Sequence, residues 1–530
     1  MGFSSVTSSS NGSHEIHSKP KSGTALFNWY IVWAFLVVLA FLLYTPWLFL
    51  YSSSSNTHIF QNPCTVISTT SPGRIPFQGD LREYSSSWNA LVFRDSNPQR
   101  PPLKIALFVK KWPIGSSAGG MERHARTLHR ELALRGHKIH VFTSSPPQDR
   151  SPPDQTDLNL ITFHFSNPTP GGNLNAGEAW DQFLKVNRTL KNTEGKELSE
   201  GMGEAGFDII HTESVALTHG RAMGLKNVVV SWHGIGYEII HSDIVQDLTR
   251  NSSEPRTLDL QKALTDRLQR VIAEINFFPS YAHHVATSDS VGEILRTVYM
   301  LPPERIHVII NGVDEGLFKP DESAGKKFRL KYGIPAKIPV VIGMAGRLVK
   351  DKGHPLVFSA LQTLIESNPR NPNFFVLIAG DGPWADRYKE LGPNVKVLGP
   401  LSTARLGDFY NALDVFLNPT LRAQGLDHTT IEAMLCGKTV MVSHFASVVK
   451  SLVVSEDFGY TFSPRLESLK KGLERVLEDG KGVLEEKGRN CRRRAEGLFT
   501  AKKMGAAYER LFLCVAKGID FCKYPLSGED

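Results

Sequence analysis

Twice along this chain a short apolar run leads into a glycine-marked turn, a stretch of helical period and a second apolar run. No other feature constrains the fold as strongly. The first instance opens with KIALFVK (Lys104–Lys110), short and continuously apolar, as a strand buried on both faces requires. Gly119 and Gly120 mark the turn. Met121, Ala125, Leu128, Leu132 and Leu134 then line one helical face, Gly136 ends it, and IHVFT follows. Strand, glycine turn, helix, strand is the Rossmann arrangement. DIIH (Asp208–His211) and VVVSWHG (Val228–Gly234) read as later strands of the same sheet, and residues 165–205, polar and Gly-rich, as a surface insertion. The second instance opens with PVVIGMAGRL (Pro339–Leu348) and continues through FFVLIAG, VKVLG, DVFLNP, the helix TTIEAML and the strand TVMVS. Short buried strands alternating with helices predict parallel sheets covered on both faces. The fold class is therefore α/β, with two Rossmann-like domains facing across a cleft. The Pro-containing stretch Phe318–Asp321 sets the boundary, giving domains over 103–320 and 321–516, the last part mostly helical, and a tail over 517–530.

Composition narrows the class. The 530 residues are 41% hydrophobic, 9% aromatic and 21% charged, which excludes a disordered or collagen-like chain. Five cysteines without a CxxC pair exclude a disulfide scaffold and a structural zinc site. A net charge of +7 over this length gives no argument for nucleic acid.

The N-terminus has its own chemistry. Residues 1–24 are rich in Ser and Gly and carry Lys19 and Lys21. Ala25–Tyr51 then runs without a charge, beyond the roughly 20 residues that span a bilayer. Trp29, Tyr30, Trp47 and Tyr51 sit near its ends, where interfacial aromatics belong. A cleaved signal peptide would have an apolar region of only about 7–15 residues, so the stretch reads as an uncleaved anchor. The lysine pair precedes it and no Lys or Arg follows until Arg74. The positive-inside rule then gives a single-pass type II topology with a lumenal remainder, in a eukaryotic cell most often Golgi. Residues 52–102, with Ser, Asn and Pro, read as a stem. Asn187 and Asn251 are lumenal N-glycosylation tripeptides; Asn11, a third, lies on the cytosolic side.

Five motifs point to chemistry: AGGMERHARTLHRELALRGH, NGVDEGLFKPD (Asn311–Asp321), GRLVKDKG (Gly346–Gly353), AGDGP (Ala379–Pro383) and QGLDHTTIEAMLCGKTV (Gln424–Val440). In this order they resemble the retaining glycosyltransferases of family 4, which have the GT-B fold. The resemblance covers about residues 103–515 and suggests a membrane-anchored, plant-like eukaryotic member. It implies that Arg347 and Lys352 contact the diphosphate of a nucleotide-sugar. Two cations and helix-start N–H groups suit a diphosphate and its leaving-group charge. It implies that Glu432 accepts the ribose hydroxyls, as the second of a glutamate pair eight positions apart. The first position is Gln424, a departure: Gln keeps hydrogen bonding and loses charge. Asp427, beside His428, is a candidate replacement carboxylate. His233 matches the first-lobe histidine facing sugar and acceptor, as a neutral partner of a hydroxyl or a cation for phosphate. Gly119 and Gly120 would admit the substrate or diphosphate close to the backbone, and Glu122 matches an acidic position of the same motif. Asn311 and Asp314 read as structural.

No DxD triplet occurs, so no metal and no cofactor beyond the nucleotide-sugar is expected; a divalent cation bridging a diphosphate would want paired carboxylates. The expected reaction is metal-independent transfer of a sugar to an acceptor hydroxyl with retention. A UDP-sugar ranks first as donor, ahead of a GDP-sugar, and the acceptor is left open among glycan, lipid and small molecule. The rivals are a catalytically silent sugar or nucleotide binder, motivated by Gln424, and a sugar-nucleotide epimerase on the same fold. CRRR (Cys491–Arg494) reads as a solvated helix face. If this part of the chain is lumenal, Cys514 and Cys522 could pair, which the sequence alone does not show.

Overall fold

The computed structural model describes residues 88–90, 102–113, 119–146, 153–194, 206–248, 258–367, 373–423 and 426–517. The expected anchor, most of the stem, the tail beyond 517, Asn11, Asn251 and Gln424 lie outside these residues. Among the described residues no helix is long and apolar enough to cross a membrane.

Two parallel sheets form the frame. The first contains β1 (Lys104–Phe108), β2 (Lys138–Ser144), β3 (Ile161–Ser166), β4 (Ile209–Glu213), β5 (Val228–Trp232), β6 (His283–Ala286) and β7 (Ile306–Val308), in the order β3-β2-β1-β4-β5-β6-β7. The second contains β8 (Val340–Ala345), β9 (Phe374–Ala379), β10 (Val395–Gly399), β11 (Val415–Asn418), β12 (Thr439–Ser443) and β13 (Gly459–Phe462), in the order β10-β9-β8-β11-β12-β13. Each is a doubly wound sheet of Rossmann type, so the fold is α/β GT-B as expected. Strand order reverses between β1 and β4 and between β8 and β11, and ligands of such sheets bind at that crevice beyond the carboxyl ends. β1, β4, β5, β9 and β12 are buried at every residue, which is why β1 and β9 read as apolar runs rather than alternating ones, while β4 carries His211, Thr212 and Glu213 into the interior.

The helices that shape the site are α1 (Gly120–Leu134), α2 (Ala176–Glu194), α3 (His354–Ser367), α4 (Thr403–Asn411), α5 (His428–Leu435), α6 (Leu466–Leu498) and α7 (Ala501–Lys517). Three placements differ from the sequence reading. The supposed insertion at 165–205 holds α2, and Phe183 joins a core cluster with Phe108 and Phe142. Its polar residues cover one face of a packed helix, and that composition hid the helical period. α7 falls at the end of the stretch assigned to the second domain, yet packs on α1 and β4 of the first lobe. Met504, Tyr508, Leu511 and Phe512 share a core with Ile105, Leu107 and Leu128. Finally, Trp88–Ala90 of the expected stem is docked: Trp88 is 4% exposed and Asn89 fully buried. Asn187, expected to be glycosylated, lies inside α2 with its carbonyl oxygen accepting from Phe207 N at 2.9 Å.

The chain crosses between lobes twice. The outgoing and returning segments pair with each other: Val313 N donates to Phe499 O at 2.9 Å and Ala501 N to Val313 O at 2.9 Å.

Candidate active site

The first-lobe wall grows from three strand ends. β1 leads to Gly119, which caps α1 with extended backbone (φ −72°) and no side-chain hydrogen bond. The positive end of the helix dipole lies there, and a Cβ on Gly119 would come 2.5 Å from Glu122 Oε2, so the Glu122 carboxylate folds back over the first turn. A Cβ on Gly120 would lie 3.4 Å from His428 Nδ1 of the second lobe, so glycine there lets the lobes meet closely. β4 ends in Glu213, fully buried. Its Oε2 lies 2.5 Å from His233 Nε2, just past β5, and its Oε1 lies 3.1 Å from His124 Nδ1 on α1. The two imidazoles meet edge to face, centroids 4.5 Å apart. Burial alone would raise the Glu213 pKa; His124 and His233 outweigh it and hold the carboxyl well below its usual range. His124 is pushed down by burial, against the pull of Glu213. Its Nε2 is buried without a hydrogen-bond partner.

Behind this trio runs an ordered chain. His129 Nδ1 donates to Ala125 O at 2.8 Å, which leaves its Nε2 to accept from His211 Nδ1 at 3.0 Å. His211 Nε2 then accepts from Ser231 Oγ at 2.8 Å, and Ser231 Oγ meets Tyr508 OH of α7 at 2.7 Å. Each tautomer is assigned from the neighbouring bond.

On the second-lobe wall, Arg347 follows β8 and is exposed. Lys352 sits in a 3-10 turn, Lys350–Lys352, one residue ahead of α3. Gly353 closes that turn at φ 81°, and a side chain there would strike the Pro419 carbonyl. Lys352 Nζ donates to Asp427 Oδ2 at 2.6 Å. Burial opposes ionisation of Asp427, but Lys352 outweighs it and holds the carboxyl at about 2. Asp427, the candidate replacement for the charge absent at Gln424, is thus paired with Lys352. His428 is buried, its pKa far below the imidazole range through burial and then Arg123 and His124, and its Nε2 has no partner. Glu432, read from sequence as a ribose acceptor, is fully buried in α5. Tyr410 OH donates to its Oε2 at 2.7 Å, and Arg123 of α1 pairs with its Oε1 across the lobe interface without hydrogen-bond geometry. Asn311 donates to Leu426 O at 3.3 Å and Asp314 folds its own turn through Gly316 N at 2.9 Å, the structural parts expected of them.

His233, Gly119, Gly120, Lys352, Asp427 and Glu432 are therefore linked through short contacts around Gly120 and His428, while Arg347 stands at the rim. A cleft of about 820 Å³ adjoins this cluster at Arg123 and His428 and extends past Arg126, Arg130 and Lys502, reaching neither Arg347 nor Lys352. Among the described residues two groups have metal-ligand spacing, His124/Glu213/His233 and His129/His211/Glu213; in both, hydrogen bonds already join most of the donor atoms. Sequence reading passed over Arg123, His124, Glu213 and Tyr410. Glu213 had a signal: an ionisable residue at the carboxyl end of a buried parallel strand lies where such folds bind ligands.

Comparison with known proteins fixes the family. Residues 118–317 match Glycosyltransferase Family 4 and residues 326–497 match Glycosyl transferases group 1, together more than half of the chain. The chain belongs to the family 4, group 1 glycosyltransferases. Within that family it is 25% identical over 358 residues to the D-inositol 3-phosphate glycosyltransferase of Acidothermus cellulolyticus, covering 64% of this chain and 74% of that one. The Jonesia denitrificans enzyme of the same name is 23% identical, over 75% and 92%. Among solved structures, the sucrose-phosphate synthase of Thermosynechococcus elongatus superposes with a TM-score of 0.57 at 21% identity, over 78% of this chain and all of that one. Anabaena HepE in complex with UDP-glucose gives 0.51 at 17%, over 77% and 99%. These relatives are bacterial, and the comparisons do not show the eukaryotic, plant-like character that the resemblance suggested.

Proposed function

We propose that this glycosyltransferase moves a sugar from a nucleotide-sugar, with UDP as the first nucleotide to test, to an acceptor hydroxyl with retention and without a metal ion. The observation that carries the reading is the junction at Gly120. There the start of α1 meets His428, and Asp427 beside it holds Lys352. A diphosphate in that crevice would take N–H groups from α1 and charge from Arg347 and Lys352, with Asp427 releasing its lysine as phosphate arrives. These groups would do the work of a bridging cation on the leaving group. Glu432 would accept the ribose hydroxyls after Arg123 moves aside, and His233 would face the transferred sugar. The family match and the UDP-glucose complex of HepE support the donor class.

We further propose a type II anchor at Ala25–Tyr51 and a Golgi-lumenal catalytic part. Cys514 is disulfide-bonded, a state that persists in oxidising compartments; Cys522 lies outside the described residues. Protease protection of sealed microsomes tests this, since a lumenal domain survives until detergent is added. The donor reading is tested by a thermal-shift screen of the full chain in detergent against UDP, GDP, ADP and their sugars. A ligand at 100 times its Kd adds about 2.7 kcal/mol. Stabilisation by one nucleotide, lost in Arg347→Ala and Lys352→Ala, supports the assignment. A folded protein shifted by none overturns it.

A further inference from the structure

We infer that Glu213 is the positioning residue of this active site, fixing the ring of His233 so that Nε2 faces the interior and Nδ1 is left for the cleft. This deepens the donor reading above. Glu213 is the last residue of β4, fully buried. A carboxylate there is costly unless its oxygens are matched by donors. Both are: Oε2 by His233 Nε2 at 2.5 Å and Oε1 by His124 Nδ1 at 3.1 Å. Each imidazole must direct an N–H at Glu213, which removes the freedom to flip either ring. His124 sits on α1 and is fully buried, so it anchors Glu213 from the other side. The His129–His211–Ser231–Tyr508 chain packs behind, its histidine nitrogens within 4.8 Å of a Glu213 oxygen, and blocks rotation of the carboxylate. His233 alone of the trio reaches the surface, with its side chain 13% exposed, and no described group bonds its Nδ1. The geometry thus holds the His233 ring at a fixed angle, with Nδ1 the nitrogen left to a substrate.

The test compares wild type with Glu213→Gln and Glu213→Asp. Glu213→Gln keeps the shape, but its amide NH2 meets one of the two imidazole N–H groups. Expected are a nucleotide Kd within about twofold of wild type, kcat for nucleoside diphosphate release lower by about a hundredfold, and a displaced acid limb of the pH–rate profile. Independently of any donor, carbethoxylation of His233 by diethyl pyrocarbonate, read by peptide mass, should speed up by about tenfold or more as the ring is freed. Glu213→Asp, keeping the charge with a shorter reach, should fall between the two and serves if Glu213→Gln does not fold. Unchanged His233 reactivity in a folded variant overturns the positioning role. Increased reactivity in a protein that binds no nucleotide upholds it and breaks the donor reading instead.

A different observation carries a second inference: the geometry points to Trp88–Ala90 as a latch joining the stem to the pivot between the lobes. Asn89 Nδ2 donates to Ile310 O at 3.0 Å and to Leu498 O at 2.9 Å, and its Oδ1 accepts from Ile310 N at 2.7 Å. Ile310 opens the outgoing crossing and Leu498 the returning one, so one fully buried side chain grips both. Trp88 secures the latch edge to face on His307, centroids 5.5 Å apart. Amide hydrogen exchange of the full chain tests it. Asn89→Ala should speed exchange at Ile310–Val313 and Phe499–Ala501 by about tenfold, with β1 and β8 unchanged. Asn89→Asp keeps the acceptor for Ile310 N and should free chiefly the Leu498 side. Unchanged exchange at both crossings, or a uniform rise everywhere, overturns the latch.

Discussion

The two lobes share one strand order and fill their site-facing walls with opposite chemistry. Of the 18 histidines, twelve fall in residues 103–320 and three in 321–516. The first lobe buries six of them, His124, His129, His137, His211, His284 and His307, and pairs imidazole with carboxylate, imidazole and hydroxyl. The second lobe places formal charge at its rim, in Arg347 and in Lys352 with Asp427. Orienting a sugar needs fixed, neutral hydrogen-bonding groups; holding a diphosphate needs cations. Under the proposed function, one frame would serve both.

Breaking each wall in turn sharpens this contrast. Glu213→Ala should cost the most, about 3–5 kcal/mol, because it strips a buried charge from two partners. Urea unfolding reads it, and a loss below 1 kcal/mol would mean that the imidazoles do not depend on the carboxylate. Arg347→Ala should leave stability within about 0.5 kcal/mol, since the side chain is exposed, and cut kcat/KM by about a hundredfold or more. A large loss of stability in the first variant and a loss of turnover at unchanged stability in the second would separate the two walls.

Acid should separate the lobes next. Burial holds His129 and His140 at about 4 and His284 and His307 at about 3, all in the first lobe. An unfolded imidazole titrates near 6.5. These folded-state values are depressed, and for histidine the folded form is then the neutral one. Stability is complete above about pH 6.5 and falls as pH drops toward 4, by up to about 1.4 kcal/mol per pH unit for each group. The second lobe holds His354 at about 4 and His428 at the interface. Hydrogen exchange at pH 5 should open β1, β4 and β6 before β8 and β11; simultaneous opening would contradict the uneven titration. The smallest effect is Tyr410→Phe, which removes the hydroxyl bond to Glu432 and should cost about 1 kcal/mol by chemical denaturation.

Much of the frame was legible because buried parallel strands leave continuous apolar runs: KIALFVK, VVVSW and FFVLIA each became a strand. α2 was missed because polar residues outnumber the core contacts of Phe183. α7 was misassigned because sequence order says nothing of a helix that returns to the other lobe. At the site, Lys352, Asp427 and His233 were found by motif and now have partners. Glu213 and His124 escaped because their meaning lies in a juxtaposition of β4 with α1, 89 positions apart. The Asn89 contacts escaped likewise, across 221 and 409 positions.

The most direct test of the central claim is nucleoside diphosphate release by the full chain from a panel of nucleotide-sugars, with and without lipid and glycan acceptor extracts, beside Arg347→Ala and Lys352→Ala. The account predicts release from one donor, enhanced by acceptor and lost in both variants. Tight nucleotide binding with no release from any donor would contradict it and leave a binding protein on a transferase fold.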